Sequence, residues 1–414
     1  MGRVVSRERI WRDIEAIGSF GRGDAPGRTS FSYSDQDVVA RRYLTEQMRE
    51  LGMSISADGV GNIRGRLNGS DGSLAPVMSG SHIDSVACGG DYDGVVGVVA
   101  ALEVARCIAE RKIELLRPYE VAIFSEEEGS NFGVTCAGSK VMTGALDVEG
   151  IKKIKDADNV SMYDRCIERG FDPESLHSGR VMPGQIHGMV ELHIEQSVLL
   201  ESQAMQIGVV QSIAGLCQCK LTFRGTANHA GSTPMNLRQD ALVGASRFVV
   251  ELEKLVRDDP SPSVVGTVGA IQCEPNASNV IPGIVIISLD VRDVFPDAID
   301  RVIDVCQERA RLIAVEKGLD CSFEILGRQS PVALSPKICK MISECSDAKG
   351  LRWMPMNSGA VHDSVLLSSV TETGLIFVPS KAGKSHCPDE YTDMDEIADG
   401  AEVLLSTIVA LANS

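Results

Sequence analysis

The sequence predicts an α/β protein whose central mixed sheet is flanked by helices and interrupted by an inserted α+β module. Apolar runs at 76–80 and 119–125 predict buried strands, and a long apolar run at 94–112 predicts the helix between them. Across residues 217–326 the order of elements changes to β-α-β-β-α-β, which is typical of a ferredoxin-like fold. Since α/β signals resume at 330, we expect the module to be an insertion.

The expected domain boundaries follow from these observations. Residues 1–212 and 330–414 are predicted to form one domain, and residues 213–329 the inserted one. Inside the insertion we predict a strand, a helix, two strands, a helix and a last strand. These elements are Cys217–Phe223, Leu237–Val256, Ser263–Cys273, Ile284–Val294, Pro296–Lys317 and Cys321–Ile325.

The first domain has clear local patterns on both sides of the insertion. Residues 35–52 have helical periodicity and stop at a glycine. Residues 53–66 predict a hairpin that turns at Asp58–Gly59. Residues 376–378 predict a further buried strand, and residues 393–412 predict a closing helix.

The composition and net charge of the chain argue against some kinds of binding partner. The 414 residues include 40 basic and 57 acidic side chains, a formal net charge of −17. Such a surface repels nucleic acid and anionic membranes, so neither is expected as a partner. No apolar run approaches the ~20 residues that span a bilayer, and no secretory apolar core is present, so we expect a cytoplasmic protein. None of the twelve cysteines forms a C-x-x-C pair, which argues against structural zinc.

Metal-competent side chains follow the predicted strands. His82 and Asp84 follow one strand, and the glutamates at 126–128 follow the next. Because active sites collect at the carboxyl ends of strands in open α/β sheets, these groups are expected to meet. His193 lies in E-L-H-I-E-Q, and His386 lies in G-K-S-H-C-P-D-E, also among acids.

Imidazole and carboxylate without a thiolate pattern suit Zn²⁺, Mn²⁺, Co²⁺ or Ni²⁺. Three histidines and several carboxylates exceed the needs of one tetrahedral ion, so a pair of ions sharing a carboxylate fits better. Such a pair polarises a carbonyl and activates water near neutral pH. Taken singly, structural histidines and a solvated run of glutamates explain the same residues. From the residues alone, a metallohydrolase therefore competes evenly with a purely structural interpretation.

Longer motifs carry a resemblance that runs from about residue 10 to 410. They are G-S-H-I-D-S-V-A-C-G-G-D-Y-D-G-V-V-G-V, S-E-E-E-G-S-N-F-G, E-L-H-I-E-Q, T-A-N-H-A-G-S-T-P-M-N-L-R-Q-D-A, N-V-I-P, D-V-R, S-G-A-V-H-D and F-V-P-S-K-A-G-K-S-H-C-P-D-E. In this order they resemble the M20-type dinuclear metal amidohydrolases. The branch they resemble contains the N-carbamoyl-L-amino acid hydrolases, allantoate amidohydrolases and β-ureidopropionases.

The resemblance implies a zinc-peptidase-like catalytic domain that binds two divalent ions, Zn²⁺ or Mn²⁺, with Co²⁺ and Ni²⁺ as alternatives. The implied metal ligands are His82, Asp93, Glu128, His193 and His386. Asp93 would bridge the ions, with His82 and His193 on one side of it. Glu127 would be the general acid and base, and Asp84 would orient His82.

The resemblance also implies a substrate site and a homodimer formed by the inserted domain. His229 would act across the dimer interface, binding substrate and stabilising the developing oxyanion, and Arg292 would grip a substrate carboxylate. Further substrate contacts are implied for Gln196, Asn279, Ser358 and Gly359. His362 and Asp363 fall in a family motif without an assigned role. The chain departs from the family pattern at Asn131, Val361 and Lys384.

The implied activity is hydrolysis of the ureido C–N bond of a small anionic substrate, an N-carbamoyl-L-amino acid, to the amino acid, ammonia and carbon dioxide. Allantoate, ureidoglycolate and β-ureidopropionate hydrolysis are alternatives, followed by aminoacylase or dipeptidase activity on the same scaffold. Outside enzymes, a ligand-binding protein that has lost catalysis and a structural dimer are the competing hypotheses. The intact ligand set and Glu127 argue against both.

Overall fold

The computed structural model describes residues 3–414 and contains two compact units. The first unit comprises the chain up to Gln211 together with Leu334–Ser414, and the second comprises Ser212–Ala333. Within the described residues, every helix is too short or too polar to cross a lipid bilayer. The twelve cysteines, all of which are described, are free thiols.

Helices and strands are numbered here in chain order. The strands are β1 Ser54–Ala57, β2 Ile63–Leu67, β3 Val77–His82, β4 Tyr119–Phe124, β5 Gly188–Ile194, β6 Ile207–Ile213, β7 Gly215–Arg224, β8 Asn228–His229, β9 Val265–Thr267, β10 Ile271–Glu274, β11 Val280–Ile281, β12 Ile284–Asp293, β13 Asp320–Gln329, β14 Val332–Ala333, β15 Trp353–Ser358 and β16 Thr373–Val378. The helices are α1 Arg7–Gly21, α2 Asp35–Glu50, α3 Val95–Arg111, α4 Ala137–Thr143, α5 Val148–Lys153, α6 Met162–Glu168, α7 Leu176–Gly179, α8 Leu199–Ser202, α9 Ala241–Arg257, α10 Pro296–Lys317, α11 Pro336–Ala348, α12 Asp363–Leu367 and α13 Met394–Ala412. Short 3₁₀ turns cover Pro173–Ser175, Met235–Leu237 and Lys381–Gly383.

The first unit is organised around a mixed sheet with the strand order β1–β2–β4–β3–β5–β16–β6, and β15 also pairs with β6. Strands β4, β3, β5 and β16 are parallel, whereas β2 and β6 run antiparallel on either side of them. Every residue of the four parallel strands is buried, because helices including α3 and α13 pack against them. The predicted fold, a central mixed sheet flanked by helices, is confirmed.

Local side-chain contacts explain the bounds of the predicted elements in this unit. The Ser34 side chain caps α2 by accepting a hydrogen bond from the backbone N–H of Asp37. The helix ends at Glu50, two residues before Gly52, whose φ is +72°. The hairpin of β1 and β2 turns where expected. There, the Asp58 carboxylate accepts a hydrogen bond of 2.9 Å from the backbone N–H of Asn62.

The second unit contains an antiparallel sheet with the order β10–β12–β7–β13, and β9 also pairs with β12. Helices α9 and α10 pack against it. Buried residues alternate with half-buried ones along β12, as expected for a strand with one covered face. Apart from the two-residue strands β8 and β11, which pair with each other, the element order is the predicted β-α-β-β-α-β, with the second strand in two parts.

The structure corrects two details of this unit. The strand expected at Ser263–Cys273 is split into β9 and β10. Thr267 pairs with Asp290 and Ile271 pairs with Ile287, so the three residues 268–270 face only two residues of β12, which interrupts the ladder. In this segment the Ser288 hydroxyl accepts the backbone N–H of Ala270 at 2.9 Å. The helix expected from Leu237 begins at Ala241, since the Asp240 carboxylate caps it.

The parallel strands determine where functional groups can meet. The carboxyl ends of adjacent parallel strands lie at the same edge of a sheet. The segments that follow β3, β4, β5 and β16 therefore emerge side by side from a buried, rigid support. These segments carry the metal-competent residues predicted from the sequence.

Candidate metal centre

The structure brings all five predicted metal ligands together in the first unit. His82 is the last residue of β3, and His193 lies near the end of β5. Asp93 lies just before α3, Glu128 follows β4, and His386 follows β16. Two groups of three ligand atoms result, and within each group the atoms lie within 4.8 Å of one another. One group is His82, Asp93 and His193, and the other is Asp93, Glu128 and His386.

Asp93 belongs to both groups through different oxygens. Its Oδ1 lies 3.4 Å from Nε2 of His82 and 3.3 Å from Nε2 of His193. Its Oδ2 lies 3.5 Å from Nε2 of His386, which is itself 3.4 Å from Oε2 of Glu128. This is the arrangement expected of a carboxylate that bridges two cations.

The buried imidazoles present the correct nitrogen. Nδ1–H of His82 donates to the backbone oxygen of Asp84 at 3.1 Å, and Nδ1–H of His193 donates to that of Ile194 at 2.9 Å. Nε2 of each ring therefore faces Asp93, and it offers a lone pair there when the ring is neutral, as metal binding requires. Gly94 permits this approach, since a Cβ there would lie 2.4 Å from the His82 ring.

Asp84 contacts the glutamate loop as well as His82. Its carboxylate lies 3.6 Å from Nδ1 of His82, farther than its own backbone oxygen. The same carboxylate accepts backbone N–H groups from Glu127 at 3.3 Å and Glu128 at 3.1 Å. Asp84 thus connects the ends of β3 and β4, a contact that the sequence did not indicate.

Glu127 is buried beside the ligands. Its Oε2 lies 3.6 Å from Nε2 of His82, and its Oε1 accepts the thiol of Cys136 at 3.2 Å. Burial raises the pKa of Glu127 well above its usual range, and the negative charge of Asp363 adds to the shift. A buried carboxyl whose proton affinity is raised can take and return a proton near neutral pH.

The electrostatics of the cluster favour a cation. Burial raises the pKa of Glu128 to about 7, and the charge of Asp93 adds to this shift. Burial opposes ionisation of Asp93 too, but His193 and the other neighbouring imidazoles hold its pKa well below the usual value. Nitrogen and oxygen donors arranged around concentrated negative charge are suitable ligands for divalent zinc or manganese.

Three predicted substrate contacts, Gln196, Ser358 and Gly359, lie in the first unit with the cluster. Nε2 of Gln196 donates to Oδ2 of Asp93 at 2.6 Å. Ser358 is buried, and its hydroxyl lies 2.9 Å from Nε2 of His362. Gly359 is exposed next to it.

His362 and Asp363, which had no assigned role, lie close to the ligands. The His362 ring centroid is 4.6 Å from that of His193. Burial lowers the pKa of His362 well below its usual value, which favours the neutral ring. Burial raises the pKa of Asp363 to about 8, with the nearby Glu191 contributing.

The other predicted substrate contacts lie in the second unit. Nδ1 of His229 accepts backbone N–H groups from Gly231 at 3.0 Å and Ser232 at 3.2 Å, so Nε2 of the neutral ring carries the proton. Arg292 on β12 donates to both carboxylate oxygens of Asp290, at 2.8 and 3.2 Å. Asn279 is exposed, just before β11.

The departures from the family pattern have local explanations at two positions. The Asn131 amide donates to the backbone oxygen of Ser32 at 2.9 Å. Lys384 forms an ion pair of 2.6 Å with Asp389. No described contact explains the choice of Val361.

Sequence reasoning missed one residue of the cluster. Glu390 is buried and accepts hydrogen bonds from the Asp93 backbone and from the segment that carries His386. Glu390 ends the motif that contains His386, but nothing in C-P-D-E distinguishes a buried acceptor from a surface acid. The proximity of residues 93 and 390 depends on the tertiary fold.

Comparison with known proteins places these observations in a family. Residues 79–410 match peptidase family M20/M25/M40. The chain is 37% identical to an N-carbamoyl-L-amino-acid amidohydrolase of Pseudomonas sp. (strain NS671), covering 98% of each chain. It is 36% identical to a ureidoglycolate hydrolase of Oryza sativa subsp. japonica, covering 99% of this chain and 85% of that one. A hydantoinase/carbamoylase family amidase of Burkholderia multivorans superposes with a TM-score of 0.92 at 33% identity, covering 99% of this chain and 98% of that chain.

Proposed function

Because the chain belongs to peptidase family M20/M25/M40, we propose that its candidate metal centre cleaves the ureido C–N bond of an N-carbamoyl-L-amino acid. The products are the amino acid, ammonia and carbon dioxide. The broader assignment, an amidohydrolase acting on C–N bonds, rests on relatives that match nearly the whole chain. The observation that carries the proposal is the division of the Asp93 oxygens between two groups of ligand atoms.

The five ligands fit a pair of divalent cations by donor type and by position. His82 and His193 would hold one cation and Glu128 and His386 the other, with Asp93 shared. When bound, the cations polarise the substrate carbonyl and make water nucleophilic near neutral pH. Imidazole and carboxylate donors are suitable ligands for Zn²⁺ or Mn²⁺.

Glu127 is the proposed proton carrier. Its carboxylate takes the proton of the attacking water and returns it to the leaving nitrogen, the work of a general base and then a general acid. The raised pKa of the buried Glu127 suits this exchange, because the same carboxyl must first bind the proton from water and then release it to the leaving nitrogen. The Cys136 thiol leaves Oε2 directed towards His82.

The second unit supplies the proposed recognition groups. The Arg292 guanidinium, oriented by Asp290, binds the substrate carboxylate, since a planar fork offers parallel donors. His229 donates from Nε2 to the oxygen that becomes negative in the transition state. We propose that it acts on the centre of the partner subunit in a homodimer formed by the second unit.

Ureidoglycolate is the second candidate substrate. The rice ureidoglycolate hydrolase and the Pseudomonas carbamoylase differ by one percentage point in identity to this chain, 36% against 37%. Relatives named for each of the two substrates thus match nearly the whole of this chain. Allantoate, β-ureidopropionate and N-acyl or peptide substrates follow in that order.

The test is ammonia release by purified protein loaded with Mn²⁺ or Zn²⁺. The panel contains N-carbamoyl-L- and N-carbamoyl-D-amino acids, N-carbamoyl-β-alanine, allantoate and ureidoglycolate, each with and without chelator. Chelator-sensitive turnover of the L-carbamoyl compounds alone supports the proposal. If only ureidoglycolate is hydrolysed, the protein is a ureidoglycolate amidohydrolase. If no compound of the panel is hydrolysed although two ions are bound, N-acyl substrates are the next to be tested.

A further inference from the structure

Glu390 connects two loops that carry ligands of the candidate centre. We call residues 83–94 the Asp93 loop and residues 379–393 the His386 loop. Oε1 of Glu390 accepts the backbone N–H groups of Tyr92 at 2.9 Å and Asp93 at 3.0 Å. Oε2 accepts the Ser385 hydroxyl at 2.8 Å and the His386 backbone N–H at 3.2 Å.

Ser385 adds a second connection between the same loops. Its hydroxyl lies 2.7 Å from Oδ2 of Asp93 and 2.8 Å from Oε2 of Glu390. The hydroxyl has one proton, so it donates to one of these carboxylates at a time while lying within hydrogen-bond distance of both. A carboxylate with 5% relative exposure and these contacts is a fixed part of the structure.

The Asp93 loop is shaped to receive this carboxylate. A Cβ added at Gly90 would lie 2.2 Å from Oε1 of Glu390, so the backbone passes where no side chain could. Glycine at position 90 therefore allows the close approach. The contact between residues 90 and 390 is specific rather than a general packing of two loops.

The other ligands have supports that do not involve Glu390. His82 and His193 lie on buried parallel strands and are oriented by backbone carbonyls. Glu128 is held by the Asp84 carboxylate. By contrast, the His386 side chain is 47% exposed, and its backbone has a φ of +56° in a loop.

We propose that Glu390 is a positioning residue that couples the two cation sites, by holding His386 and the shared Asp93 in one arrangement. This inference rests on the proposed function, since it assumes that the five ligands bind cations. Partners of ligands often change metal affinity by 10- to 100-fold. Glu390 holds two of the three ligands of the site that contains His386, namely Asp93 and His386, but only Asp93 of the other site. Loss of Glu390 should therefore weaken metal binding most at the site that contains His386.

The experiment measures metal binding as well as turnover. Full-length protein is stripped with chelator and titrated with Mn²⁺ or Zn²⁺ in competition with a chromogenic chelator, and bound metal is counted after equilibrium dialysis. Wild type should bind two ions per chain. In Glu390→Gln, one ion should bind at least tenfold more weakly, and the other should change by less than about threefold. The Glu128→Gln variant identifies the weakened site. It removes a ligand of the site that contains His386, so it should abolish the binding step that Glu390→Gln weakens.

Asp389→Asn is the matched control. Asp389 is the neighbouring acid, its side chain is exposed and it contacts Lys384, so both binding steps should be unchanged. If Glu390→Gln does not fold, Ser385→Ala tests the same connection with a smaller change and should weaken the same step. Equal weakening of both steps, or no weakening of either, overturns the proposal. Two bound ions in a wild type that hydrolyses no ureido compound would refute the proposed function and leave this inference intact.

Discussion

The thiol of Cys136 donates to Oε1 of Glu127 at 3.2 Å, and the backbone N–H of Cys136 donates to the Glu127 carbonyl at 2.7 Å. One residue thus holds both the main chain and the side chain of the proposed proton carrier. Cys136 is fully buried, so water does not compete for the carboxylate oxygen it contacts. The remaining oxygen of Glu127 faces His82.

Replacing Glu127 with glutamine should preserve metal binding and remove nearly all turnover. The amide retains the shape of the side chain but takes no proton, and general acid–base catalysis contributes about 10²- to 10⁴-fold. The measurement is kcat on the substrate found in the panel, with bound metal counted in the same samples. Wild-type kcat in this variant would mean that another group carries the proton.

Replacing Cys136 with alanine should lower kcat about tenfold with little change in KM, in line with the loss of one hydrogen bond to a charged group. Serine at position 136 should recover most of that activity, because its hydroxyl can donate to the same oxygen. Comparing the two variants separates the hydrogen bond from packing. Equal losses in both would assign Cys136 a packing role.

Replacing Arg292 with alanine should raise KM for carboxylate substrates by about 10- to 100-fold, the range expected for charge-assisted hydrogen bonds. Lysine at this position should recover only part of the loss, since it lacks the planar fork. Initial rates over a range of substrate concentration provide the test. A KM that does not change would leave Arg292 as the structural partner of Asp290.

Acid should weaken the attachment of the N-terminal segment through Glu402 on α13. Glu402 accepts backbone N–H groups from Val4 and Val5 and pairs with Lys349 at 2.6 Å. Burial opposes ionisation, but these partners lower the pKa of Glu402 below 4.5. A lowered folded-state pKa means that the stabilisation is present above the unfolded value and is lost as pH falls through the folded value.

Urea unfolding of wild type and Glu402→Gln at two pH values tests this expectation. At pH 7 the variant should be less stable by about 1.5–3 kcal/mol, the range for hydrogen bonds to charged groups. The difference should shrink below pH 4. A difference that is constant with pH would show that ionisation of Glu402 does not contribute.

Removal of metal should lower the thermal stability of the protein. A ligand that binds only the folded state at 100 times its Kd stabilises it by about 2.7 kcal/mol. Chelator should therefore lower Tm by several degrees, and added Mn²⁺ or Zn²⁺ should restore it. A melting curve that chelator does not alter, in protein shown to contain metal beforehand, would contradict this expectation.

The sequence was most informative where function depends on residue type and strand position. His82 and Glu128 could be placed because both follow apolar runs that become adjacent parallel strands. The fold, the family and the class of enzyme are confirmed by the structure and the comparisons. The catalytic and substrate-binding roles of individual residues stay predictions.

Contacts between distant segments could not be predicted. The pairing of Asp84 with the backbone of Glu127 and Glu128, and of Glu390 with Asp93, depends on which loops the fold brings together. The division of the strand between β9 and β10 could not be predicted either, because it depends on three residues of that segment facing two residues of β12. Periodicity within one segment does not reveal which partner the fold places opposite it.

The contact between Gly90 and Glu390 has a consequence for how this protein can diverge. A methyl group at position 90 would lie 2.2 Å from the carboxylate oxygen of residue 390 and 2.4 Å from its Cβ. Shortening the acid removes the first clash but not the second, because every residue except glycine keeps a Cβ. Among homologues we therefore expect glycine at 90 wherever the two loops meet in this way, even where position 390 is no longer glutamate.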